Sequence, residues 1–198
     1  MSLIFGISGS TILEEINESM TSGGANTPVI TLGITFVIIG FGFKVSAFPF
    51  HTWAPDTYEG APTPVTAFLA VASKAAGFVA LMNLVVIGFI GQGDVFQPLI
   101  WILAALSMTA GNVMALRQKN IVRLMAYSGI AHAGFMLAPL AVAGEGPDIA
   151  DKSVSAVVTY LVIYAAMNIG TFGIILAVAR KTKTADLESY DGLFRISP

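Results

Sequence analysis

The sequence predicts an all-α integral membrane protein: a bundle of about five transmembrane helices plus a partial N-terminal helix, with a broken helix near Pro49. Three observations predict it. Of 198 residues, 55% are hydrophobic and only 11% charged, whereas about 25% of a soluble domain is charged. Mean hydropathy is +0.78. Long apolar runs are separated by short polar stretches rich in Gly and Pro. The 10 Lys/Arg and 12 Asp/Glu are too few to coat a water-facing surface, so lipid is the expected solvent for a single membrane domain over 1–198.

Residues 1–13 are apolar but too short to cross a bilayer alone; they read as the end of a helix begun earlier or as an interfacial segment. No basic region precedes this run, so it does not resemble a cleaved signal. The stretch 14–28, with three acids, two glycines and a proline, reads as a loop. A spanning helix needs about 20 mostly apolar residues, and five stretches qualify: 29–50, 64–90, 96–116, 121–143 and 154–179. The loop 51–63 contains Pro55, Gly60 and Pro62, and Pro64 suits the first turn of the next helix. Gly/Pro breaks at 91–94 and 144–147 separate the later spans. The polar tail after Arg180 offers Leu187, Leu193 and Phe194 as interface contacts.

Five spans place alternate loops on opposite faces. One face collects seven basic residues, Arg117, Lys119, Arg123, Arg180, Lys181, Lys183 and Arg195, and the other only Lys152. The positive-inside rule puts the 117–123 turn in the cytoplasm or its organellar equivalent.

Lys44 and Lys74 belong to neither face. Each lies roughly 15–22 Å along its helix, and a mid-membrane lysine costs about 2.5–3.5 kcal/mol on insertion scales. Such a residue either snorkels, is paired internally, or marks an ion or proton path. Two of them on consecutive helices favour the path, because a desolvated amine can release and regain a proton. No acid lies within the five expected spans, so any acidic partner must come from elsewhere. Pro49, five residues beyond Lys44, either breaks the helix at depth or ends it near the interface. A continued helix would put His51 on the Lys44 face, where it could pass protons to cytoplasmic water or sit idle in a loop.

His132, among small residues in GIAHAG (129–134), reads as a buried histidine with one hydrogen bond or as a second relay. Arg123 reads as a topology anchor. Tyr160, Tyr164 and Asn168 share one helix face, which can line a wet path or glue helices together. With no cysteine, disulfides, iron–sulfur ligands and thiolate metal sites are excluded. The two histidines have no ligand cluster around them, the glycines form no phosphate loop, and the short basic loops do not suit nucleic acid.

The segment FKVSAFPFHTWAPDTYEGAPTP (43–64), followed by Ser73-Lys74, resembles the central signature of the antiporter-like membrane subunits of respiratory complex I, closest to the subunit N branch of NADH–quinone oxidoreductase. NIVRLMAYSGIAHAG (120–134) matches a second motif, and 186–198 is similar to the amphipathic connector before a later helix. The resemblance implies a fourteen-helix, proton-translocating subunit, of which this chain is a fragment from the end of helix six through helix eleven. It implies Lys44 as the lysine of the broken seventh helix, Lys74 as that of the eighth, and His51 as a relay histidine, with His132 and Arg123 secondary. It implies an enzyme complex whose NAD, FMN, iron–sulfur clusters and quinone sit in other subunits, with no cofactor in this chain. The expected partners are other membrane-arm subunits and the lipid of a bacterial plasma membrane (or an organellar or thylakoid equivalent), with no nucleic acid. The acid paired with Lys44 and a third lysine would lie outside 1–198, so the chain alone is expected not to pump. Alternatives are a subunit of a cation/proton antiporter or membrane-bound hydrogenase, and a structural membrane spacer.

Overall fold

The computed structural model describes residues 1–22 and 27–193, for Thr27 the backbone alone; Phe194 and Arg195, counted above, lie outside the described residues. In chain order the helices are α1 (Ser2–Ser8), α2 (Leu13–Thr21), α3 (Thr27–Lys44), α4 (Trp53–Gly60), α5 (Thr63–Gly88), α6 (Gly93–Ala115), α7 (Ile121–Leu140) and α8 (Pro147–Thr182). Among the described residues, four helical stretches, Thr63–Gly88, Ile90–Ala115, Ile121–Glu145 and Pro147–Thr182, are long and apolar enough to cross a membrane, and Pro28–Lys44 is a shorter apolar helix. Helix α5 is not uniform: wide π turns occupy Leu69–Ser73 and Leu84–Gly88.

Several boundaries differ from expectation, among them the start of the last span, which begins at Pro147, a proline suited to the first helical turn, and not at 154. The loop expected over 14–28 contains α2, and the loop expected over 51–63 contains α4. Prolines and glycines there start and end short helices instead of preventing them: Pro55 lies in the first turn of α4, where its missing N–H costs nothing. The first span does not run to Phe50. It stops at Lys44 because Ser46 adopts a left-handed backbone with φ 61°. The Ala47 N–H donates to the Gly42 carbonyl (2.7 Å) and the Ser46 N–H to the Phe43 carbonyl (3.1 Å), the paired bonds that close a Schellman turn. The chain has therefore turned before Pro49 is reached.

Backbone groups in this break find partners, as lipid depth requires. The Phe48 N–H donates to the Ser107 hydroxyl of α6 (2.9 Å) and the Trp53 indole N–H to the Phe43 carbonyl (2.9 Å). A left-handed conformation costs a residue with Cβ about 1–2 kcal/mol, so Ser46→Gly is expected to stabilise the protein by about 1 kcal/mol and Ser46→Val to destabilise it. Thermal unfolding in detergent checks this; equal midpoints for Gly, Ser and Val would contradict the strain at Ser46.

The core lies between α3, α5, α6 and α7, where Ile34, Phe78, Phe96, Ile100, Met136 and Leu140 are fully buried. Helices α6 and α7 touch through glycine: a Cβ at Gly111 would lie 2.6 Å from the Ala131 nitrogen, and one at Gly134 would lie 2.7 Å from the Ala104 carbonyl oxygen. Outward faces carry Phe68, Trp101, Val162, Ile163, Ile169 and Ile174, all more than half exposed, as faces that meet lipid or other helices should be. At one end, α4, the start of α7 and the tail meet: the Leu187 N–H donates to the Lys119 carbonyl and the Ile121 N–H to the Ala185 carbonyl, both at 2.8 Å. At another, α2 meets the turn before α6, where the Gly91 N–H donates to the Asn17 side chain (3.2 Å).

Candidate functional site

Lys74 directly follows the π turn of α5 and is 3% exposed. Its ammonium donates to the Gly129 carbonyl of α7 (2.7 Å) and lies 5.8 Å from the centre of the Tyr164 ring of α8. Gly129 makes this approach possible. A Cβ there would stand 3.1 Å from both the Lys74 Nζ and the Tyr164 hydroxyl oxygen, so those two atoms converge on the space that a side chain would fill. Among the described residues, the ion pairs join Arg123 to Asp56 and Glu59; none reaches Lys74. A charged amine held by one carbonyl and one ring face is stabilised far less than one paired with a carboxylate.

Lys44, the last residue of α3, is exposed on the surface of the chain and donates to the Ser73 hydroxyl (2.9 Å). Its stem crosses α5 at Gly77, where a Cβ would meet the Lys44 Cγ at 3.2 Å. The head borders an open groove of about 350 Å³ walled by Met1, Phe36, Val37, Gly40 and Phe41. The two lysines thus attach to α5 at consecutive residues, Lys44 through Ser73 and Lys74 by its own backbone. They differ in environment: one faces outward and the other is enclosed.

His51 lies in the turn between α3 and α4, not on a continuation of the Lys44 helix face. It is 6% exposed, with Nδ1 buried and without a hydrogen-bond partner. Its ring stacks on Phe48 (centroids 5.1 Å) and approaches Tyr127 of α7 (6.2 Å). His132 is half-buried beside the Lys74 site. Its Nδ1 is 2.7 Å from the Tyr160 hydroxyl, and its ring is 5.2 Å from that of Tyr164. Asn168 turns inward and donates to the Tyr164 carbonyl (2.9 Å). Of the two uses that the spacing of this polar stripe on α8 allowed, the contacts show helix joining: Tyr160 bonds His132 of α7, whereas Asn168 bonds within its own helix.

Arg123 is more than an anchor. Its guanidinium bonds Asp56 (2.6 Å) and Glu59 (2.7 Å) on α4, while Asn120 caps α7 by accepting from the Val122 and Arg123 N–H groups. Sequence reading had the acids within a signature segment but assigned them no partner. Gly129 and Ser73 were also missed as contact residues. Their signal was present, a glycine three residues before a mid-span histidine and a serine adjacent to the lysine, but nothing in one sequence says which helix they face. Among the described residues, no group of three or more His, Cys, Asp or Glu is placed to hold a metal ion.

Comparison with known proteins agrees over the whole chain. The family described as NADH:quinone oxidoreductase/Mrp antiporter, transmembrane, matches residues 1–198. NADH-quinone oxidoreductase subunit N of Desulforamulus reducens is 40% identical over 198 residues, 100% of this chain and 40% of that protein. The subunit N of Trichlorobacter lovleyi is 44% identical over 182 residues, 91% of this chain and 36% of that protein. Among solved structures, a chain of the archaeal membrane-bound sulfane sulfur reductase superposes with a TM-score of 0.78 at 26% identity, covering 96% of this chain and 38% of that one. A chain of respiratory complex I from Thermus thermophilus, determined with bound aureothin, gives 0.66 at 32% identity, covering 100% and 40%. The chain spans about two fifths of the length of these relatives.

Proposed function

This chain belongs to the NADH:quinone oxidoreductase/Mrp antiporter transmembrane family, and from that premise we propose that it is the central section of a proton-translocating membrane-arm subunit of NADH–quinone oxidoreductase. In this reading it supplies the end of helix six through helix eleven of the fourteen-helix subunit, and the 117–123 turn faces the cytoplasm. The observation that carries the proposal is the enclosed Lys74 ammonium, held by a single carbonyl at 2.7 Å with no acid beside it among the described residues. A group in that position is poised to give up its proton when the local charge changes.

Redox energy released in other subunits, which hold the NAD, FMN, iron–sulfur clusters and quinone, reaches this section as a change of charge in the groove beside Lys44. An acid from a neighbouring helix holds the Lys44 proton. When that hold is lost, the proton moves toward α5, where the Ser73 hydroxyl can accept from one amine and donate onward through water. Lys74 receives it. His51 serves exchange with the cytoplasmic side, His132 takes the proton onward, and Arg123 ties α4 to α7 so that these groups keep their places. Other membrane-arm subunits complete the path.

Lys44→Ala in the full-length subunit, assembled in its complex and reconstituted in vesicles, tests the proposal. Quinone reduction and acidification are expected to fall several-fold together while assembly is retained. Unchanged rates would remove the mechanism.

The likeness to the archaeal reductase complex favours a second reading, a subunit of a related ion-translocating assembly. Neighbouring genes for antiporter subunits instead of NADH dehydrogenase subunits would decide for it.

A further inference from the structure

The His132–Tyr160 pair is more specific than a path lining needs. Tyr160 and Tyr164 stand one turn apart on α8 and both touch the imidazole, one at its Nδ1 (2.7 Å) and the other ring to ring, with centroids 5.2 Å apart and planes tilted by 58°. Phe135, three residues after His132 on α7, stacks on the Tyr160 ring with centroids 6.3 Å apart and planes at 25°. The phenol that meets Nδ1 is thus itself packed against α7, and Phe135 also borders the imidazole (centroids 6.3 Å).

Two proton arrangements fit the short Nδ1···Oη contact. In one, the phenol donates to Nδ1. The neutral ring then carries its proton on Nε2 and has no free lone pair with which to receive another. In the other, Nδ1–H donates to the phenol oxygen, and the Nε2 lone pair stays open. When a proton arrives at Nε2 the ring becomes imidazolium, Nδ1–H remains where it was, and the bond to Tyr160 persists. When the proton leaves Nε2, the same bond persists again. The partner of one ring nitrogen decides the chemistry of the other.

We propose that Tyr160 is the positioning residue of His132: its oxygen accepts from Nδ1–H, fixing the tautomer that leaves Nε2 as the one atom where a proton enters and departs. This rests on the proton-translocating reading above, because only a histidine that gains and loses protons needs an open Nε2. Tyr164 touches the His132 ring and also borders the Lys74 ammonium of α5 (5.8 Å), so the histidine and the buried lysine meet the same residue of α8.

The full-length subunit in lipid nanodiscs, with isotopically labelled histidine, tests the tautomer directly. The His132 resonances are identified by difference from a His132→Gln sample at a pH where imidazole is neutral. The expected result is a proton on Nδ1 and a bare Nε2, with the proton redistributing toward Nε2 in Tyr160→Phe. A wild-type His132 carrying its proton on Nε2 overturns the proposal and needs no variant to fold. In the assembled complex, Tyr160→Phe is expected to lower proton translocation several-fold. Normal translocation by Tyr160→Phe beside a defective Lys44→Ala overturns this inference alone; normal translocation by both removes the parent reading and this inference with it.

Discussion

Replacing Lys74 with Met in the full-length subunit is expected to reduce proton translocation to background and, at the same time, to raise the thermal stability of the subunit. The two effects share one cause. A charged amine at mid-membrane costs about 2.5–3.5 kcal/mol on insertion scales. Here the return is one hydrogen bond to the Gly129 carbonyl and a ring face 5.8 Å away. A hydrogen bond to a charged group contributes about 1.5–3 kcal/mol. Methionine is unbranched and of similar length, so it fills the same channel beside Gly129 without a cavity. A net stabilisation of about 1 kcal/mol or more is consistent with other replacements of buried charge by packed apolar groups. A spacer helix would show the stabilisation and keep its activity. A structural lysine would show loss of both. Only a lysine retained for proton chemistry, at a cost to the fold, gives the crossed result. Midpoints from unfolding in detergent and acidification rates in vesicles, measured on one preparation, decide among these.

The contrast between Lys44 and Lys74 also marks where sequence reading stops. Hydropathy periodicity sees how far a residue lies along a helix, and on that measure the two lysines were equivalent. It does not see which way the helix faces. Lys44 turns to an open groove and Lys74 to the inside because of Gly77 and Gly129, each admitting a lysine at 3.1–3.2 Å. The spans themselves were legible because lipid leaves no other use for 20-odd apolar residues. The short helices α2 and α4 were not, since acids, glycines and prolines in a polar stretch suit a loop and a short capped helix equally. The break after Lys44 was legible as an event and misplaced in position. Proline is a strong local signal, whereas a serine at φ 61° leaves no trace in composition. Arg123 could be assigned a side of the membrane by charge counting, but its partners Asp56 and Glu59 lie more than sixty residues earlier in the chain, a separation that only the fold closes.

Gly111→Ala is expected to be the most destabilising single-methyl change in the chain. The added carbon would stand 2.6 Å from the Ala131 nitrogen, 2.9 Å from the Tyr127 carbonyl oxygen and 3.0 Å from the Ala131 Cα. All three are backbone atoms of α7 and cannot rotate away, so the helices must separate. Overpacking costs about 1–3 kcal/mol where side chains can adjust; with rigid neighbours the upper end, about 3 kcal/mol, is expected. In lipid the loss is not recovered by hydrophobic burial elsewhere, because close van der Waals contact is itself what holds membrane helices together. Gly134 faces α6 from the other helix and would meet Ala104 and Met108 at 2.7–2.8 Å. The two glycines guard a single α6–α7 spacing. Once Gly111→Ala has widened it, part of the room that Gly134→Ala needs already exists, so the double variant is expected to cost less than the sum of the singles, a coupling a double-mutant cycle measures directly. Strict additivity would mean that each methyl is absorbed locally and that no common spacing exists. Because α7 also carries Gly129 and His132, a displacement of that helix disturbs the carbonyl that holds Lys74 (2.7 Å), and translocation should fall with the measured loss of stability.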